Sequence, residues 1–134
     1  MFEISTSEGY GHKAVAIIHL KGEFDAAAAD QFDAQAKEMV DEGAEDVLVD
    51  LSNLTYMSST GFRSLHNLFY MLHPEGSEEH KRVMDEGVRK GTYKAPHLKL
   101  LNPNKRVMDL LTMVSADMYL EIIQGDLLNA VGAF

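Results

Sequence analysis

Apolar positions along this chain recur in two rhythms, and the alternation between them predicts its elements. Residues 2–6 and 14–21 are rich in β-branched and aromatic side chains and read as two strands of a hairpin, turning at Glu8, Gly9, Tyr10 and Gly11. Phe32, Ala36, Met39 and Val40 then follow a helical spacing, with Asp25 placed to cap the helix and Gly43 to stop it. Residues 46–51 are almost continuously aliphatic, as expected of a strand buried at the centre of a sheet with helices on it. From Thr60 a second helical stripe runs through Phe62, Leu65, Leu68, Phe69 and Leu72 and ends at His73-Pro74. Residues 98–101 form the next strand, and Pro103 stands near the start of a helix carrying Val107, Leu110, Leu111 and Val114. A last strand is expected at 119–123, and residues 126–131 add a terminal helical turn or two.

The order β-β-α-β-α-β-α-β-α predicts an α/β domain. Its sheet is mixed, mostly parallel and of about five strands, with about four helices, and one domain spans residues 1–134. Residues 74–94 break the pattern. Five acids and five bases are mixed there, and only Val83, Met84, Val88 and Tyr93 offer apolar contacts, so an exposed loop with a short helix around 81–89 is expected.

Charge narrows the classes of partner. The net charge is −9, and residues 1–50 hold twelve acids against Lys13, Lys21 and Lys37, whereas residues 51–134 hold nine of each sign. This argues against a nucleic-acid partner, which needs a basic footprint. An acidic first part suits either a basic protein partner or simple solvation. With no cysteine, disulfides and thiolate metal sites are ruled out. Glu3 stands where a secretory signal would be basic, and no apolar run is long enough for a bilayer. A cytoplasmic protein with no direct membrane insertion is the expectation.

The candidate chemistry lies in the hydroxyl cluster Ser58, Ser59 and Thr60, between the central strand and the second helix. Backbone N–H groups and the positive end of a helix dipole converge on such a junction and favour a phosphate. Taken alone, a serine here does no more than cap the helix. A serine hydrolase would need Gly-x-Ser-x-Gly with a placed histidine and acid, and a P-loop would need a glycine-rich run ending in lysine; neither is present. His66, His73 and His80 recur every seven residues, but Pro74 breaks their alignment, so they read as surface and helix-face residues and no metal site is expected.

Three blocks resemble the STAS domain, the family named for sulphate transporters and anti-sigma-factor antagonists. Asp50-Leu51-Ser52, then Tyr56-Met57, then Ser58-Ser59-Thr60-Gly61 with Phe62 opening a helix, resemble its central motif. Gly22-Glu23-Phe24-Asp25 resembles its turn before the first helix, and Leu98-Lys99-Leu100-Leu101-Asn102-Pro103 with Arg106, Val107, Leu110 and Leu111 resembles its fourth strand and third helix.

The resemblance implies an anti-sigma-factor antagonist that regulates transcription by partner switching. Its partners would be a serine-kinase anti-sigma factor, bound in the unphosphorylated state, and a serine phosphatase; a homo-oligomer is compatible with it. The family's phosphorylated serine falls on Ser59, with Ser58 and Thr60 as alternates, and its partner surface on Asp25, Ser58, Ser59, Thr60, Gly61 and Arg63. No cofactor and no catalysis are implied, since the chain would be a substrate. The alternatives are an unphosphorylated scaffold or accessory subunit of a transporter or lipid-trafficking complex, with Ser59 a plain helix cap, and a small-ligand sensor using a pocket above Asp25 and Ser59. Two departures stand out. Ser58 replaces the acidic residue that precedes the family's phosphorylated serine, and residues 74–94 exceed the family's short connection.

Overall fold

The N-terminal runs pair as an antiparallel hairpin in the computed structural model, which describes residues 1–74, 78 and 94–134. Strand β1 (Glu3–Tyr10) lies against β2 (Ala14–Phe24), in register from Glu3↔Lys21 to Tyr10↔Ala14. The turn expected at 8–11 therefore sits later, where Gly11 N–H reaches Lys13 O at 3.1 Å. Gly9 belongs to the strand for a packing reason: a Cβ there would stand 2.7 Å from Val131 Cγ2. Its missing side chain admits the C-terminal helix.

Strands β3 (Val47–Met57), β4 (Leu98–Leu101) and β5 (Glu121–Ile123) complete a sheet ordered β1-β2-β3-β4-β5, parallel from β2 onward. The central strand runs six residues past its expected end at 51, following β2 through two register shifts until Phe24 pairs with Met57. Strand β5 begins later than expected because the amides of Tyr119 and Leu120 bond back to Ala116 O, closing a 3₁₀ turn at Ala116–Met118.

Four α-helices occur among the described residues: α1 (Ala26–Asp41), α2 (Ser59–Leu72), α3 (Lys105–Met113) and α4 (Leu127–Gly132). Helix α1 ends as Gly43 turns to φ +105°, with its N–H on Val40 O and that of Ala44 on Met39 O. Alternation along the strands divides the core in two. Ile18, Leu20, Val49 and Leu100 pack with Phe32 of α1, Leu65, Leu68 and Phe69 of α2, and Val107 and Leu111 of α3. Val15, Ile17, Leu48 and Leu101 face the other way, toward Ala130 and Val131 of the short α4.

His73 departs from the surface reading. It closes α2 fully buried, its ring stacked on Phe69 at 4.6 Å and tilted against His97 at 5.0 Å. Aromatic packing at the end of the helix draws it inward. The loop and short helix expected within 74–94 lie almost wholly outside the described residues. Among the described residues, no helix is long and apolar enough to cross a membrane, and no three histidines or acids cluster to hold a metal.

Candidate functional site

Parallel strands β2 and β3 end side by side, and each feeds a helix whose first turn is capped by a side chain. Asp25 Oδ1 accepts from Ala28 N–H at 3.1 Å, and Ser58 Oγ accepts from Gly61 N–H at 3.1 Å. The two starts are joined through one carbonyl. Phe24 O receives the Ser58 amide at 3.0 Å and its hydroxyl at 3.4 Å.

Gly61 is fixed by the same carbonyl, because a Cβ on it would stand 2.3 Å from Phe24 O. Only a residue without a side chain lets α2 start this close to β2. Sequence reasoning placed Gly61 in the motif without seeing this contact.

Of the candidate residues, the fold brings Asp25, Ser58, Ser59, Thr60 and Gly61 together at this edge. Arg63 lies one turn along α2 and is exposed. Ser58 makes the cap; Ser59 is the first residue of α2, and its side chain is exposed, as is that of Thr60. The cap reading thus applies to Ser58, and Ser59 has no such duty.

Below Ser59 on the same face of α2, at helical spacing, come Phe62, His66 and Tyr70. Phe62 and His66 line a recess of about 310 Å³ with Val114, Ser115, Met118 and Tyr119. Sequence reasoning missed this surface. His66 Nδ1 lies 2.8 Å from the Tyr119 hydroxyl, and its ring meets Tyr70 edge-on at 4.6 Å. Burial lowers the pKa of His66; burial, reinforced by the neighbouring Tyr70, pushes Tyr119 up to about 12. Met118 lines the same recess, and Met113 is 79% exposed. A separate recess of about 270 Å³ at Asp25 is lined by Met1, Phe2, Glu23, Ala28 and Gln31 and not by Ser59.

The family model for the STAS domain matches residues 7–78, more than half of the chain and inclusive of Asp25 and residues 58–61. The chain belongs to the STAS domain family. Solved structures agree in fold. An anti-sigma factor antagonist from Mycobacterium paratuberculosis superposes with a TM-score of 0.73 at 14% identity, over 99% of this chain and 93% of its own. SpoIIAA, an anti-sigma factor antagonist, in its unphosphorylated form gives 0.64 at 15% identity over 96% and 94%. The Bacillus cell fate determinant SpoIIAA in the phosphorylated form gives 0.62 at 16% over 95% and 96%. A sequence comparison with the curated proteins finds no match.

Proposed function

We propose that this STAS domain is an anti-sigma-factor antagonist whose hold on a serine-kinase anti-sigma factor is switched by phosphorylation of Ser59. The observation that carries the reading is the division of labour at the start of α2. Ser58 supplies the cap that holds the helix, which leaves the exposed Ser59 hydroxyl open to a kinase without loss of structure.

Electrostatics explains how such a mark acts. A phosphate adds about −1.5 to −2 charges at neutral pH, and a helix N-terminus stabilises nearby negative charge by about 0.3–1 kcal/mol. The domain tolerates the modification. A partner packed over Ser59 and Phe62 would instead have to bury that charge, and the complex would dissociate. A serine phosphatase would then restore binding, and the chain would be the substrate of this cycle, acting in the cytoplasm on transcription.

A second reading has one observation in its favour: Ser58 stands where the family carries an acid, so a determinant read by the kinase is altered. On that reading the domain is an unphosphorylated scaffold or accessory subunit. Tagged Ser59→Ala and Ser59→Asp proteins expressed in the native cell separate the two. Retention of a kinase-type anti-sigma factor by the alanine form and its loss from the aspartate form supports the switch. Equal capture of the same partners by both forms contradicts it and favours the scaffold.

A further inference from the structure

On the sheet face that carries α4, three adjacent strands align a serine, a histidine and a carboxylate. Ser7 Oγ of β1 lies 2.8 Å from Nε2 of His19 on β2, and His19 Nδ1 lies 2.8 Å from Oδ2 of Asp50 on β3. His19 and Asp50 are register partners across the parallel pair, and Ser7 reaches His19 on the diagonal. The order nucleophile, base, orienting acid is thus built by strand register, from residues far apart in sequence.

The hydrogen bonds around Asp50 assign the direction of the relay. The Ser52 hydroxyl and amide both donate to Oδ1, at 2.6 and 3.0 Å. Partial burial alone would raise the Asp50 pKa, but these bonds and His19 outweigh it and hold the carboxyl below its ordinary range. An ionised carboxylate only accepts, so His19 Nδ1 donates to it, and in the neutral ring Nε2 is left to accept from Ser7. Asp50 is itself largely shielded and the histidine partly so, with side chains 14% and 30% exposed, while Ser7 is open to solvent.

We propose that Ser7 is a histidine-activated acyl acceptor that takes an acyl group from a small, activated ester. Ser7 Oγ attacks the ester carbonyl carbon, and its proton passes to His19 Nε2. The tetrahedral adduct collapses, the bond to the leaving oxygen breaks, and His19 returns the proton to the departing alkoxide. The products are acyl-Ser7 and an alcohol. His19 and Ser7 are the reacting pair, and Asp50 and Ser52 position the imidazole. Because the site is open, the donor must bring a good leaving group. This chemistry is independent of the Ser59 switch and would mark the domain at a second place.

The test exposes the full chain to p-nitrophenyl acetate and follows intact mass, with fragmentation to place the acetyl group. Acetylation of Ser7 is expected, absent in Ser7→Ala and slowed about 100-fold in His19→Gln, which keeps an amide in place of the ring but cannot take the proton. Asp50→Asn, which still fills the site but no longer fixes the tautomer, should slow it as well. Acetyl groups found only on lysines, tyrosines or the N-terminus overturn the proposal, as does a Ser7 rate unchanged in His19→Gln. If His19→Gln does not fold, the mapping on the native chain and on the exposed-site variant Ser7→Ala still decides.

Discussion

Replacing Gly61 by alanine sets two effects of opposite sign against each other. Helix propensity alone makes the change favourable, since glycine inside a helix costs roughly 0.5–1 kcal/mol relative to alanine. Packing says the reverse. The new methyl would sit 2.3 Å from Phe24 O, where real Cβ atoms keep at least 3.0 Å, so the first turn of α2 must retreat by at least ~0.7 Å. Its obstacle is backbone and cannot rotate aside, and the retreat strains the Ser58 bonds to the same carbonyl. Overpacking of this kind costs about 1–3 kcal/mol, which leaves a net loss centred near ~1 kcal/mol and reaching about 2.5 kcal/mol after the propensity gain. At roughly 3–5 °C per kcal/mol for a domain of this size, the central expectation is a melting point lower by roughly 3–5 °C. Gly132→Ala is the internal control, because nothing lies within 4 Å of its added Cβ at the end of α4, and it should hold or slightly raise the melting point. Thermal and urea unfolding of both variants, monitored by circular dichroism, measure the pair. A Gly61→Ala protein as stable as the parent would refute the close approach of α2 to β2 on which the site's geometry rests.

Other expectations follow from the same contacts. Ser58→Ala should cost about 1 kcal/mol through loss of the α2 cap, whereas Ser59→Ala should stay within about 0.5 kcal/mol, as urea midpoints will show. Asp50, whose carboxyl is held below its ordinary pKa, contributes stability above the ordinary carboxylate range that is lost as pH falls through its folded value. Asp50→Asn should remove that part of the acid slope when urea midpoints are compared across acidic pH. Tyr119, raised by burial from 10.0 to about 12, contributes stability that is complete below pH 10 and lost as pH climbs toward 12. Tyr119→Phe should flatten that alkaline loss, and a tyrosinate absorbance titration of the parent should contain one component near pH 12.

Elements carried by periodicity were legible before any coordinates. The stripe from Phe62 to Leu72 and the stop at His73-Pro74 are visible because helical spacing is a local property. The aliphatic run at β3 was visible as a strand, yet its continuation to Met57 depends on pairing with β2 and has no local mark. Gly9 misled for a related reason. A glycine between strands looks like a turn, and only the arrival of Val131 from the far end of the chain shows that it is there for space. At the start of α2, the hydroxyl cluster was visible in the sequence, but the assignment of the cap to Ser58 needed the helix boundary, and adjacent hydroxyls give no hint of it. His73 was hidden because its burial comes from aromatic neighbours on two elements. The alignment of Ser7, His19 and Asp50 is a product of strand register alone, so no spacing along the chain could announce it.

The most direct test of the switch is the mass and fragmentation spectrum of the protein taken from its own cells, with and without phosphatase treatment. A phosphatase-sensitive phosphate mapped to Ser59, and not to the capping Ser58, is the predicted result. A chain that carries no phosphate in any growth or stress condition, or carries it on Ser58, would contradict the account.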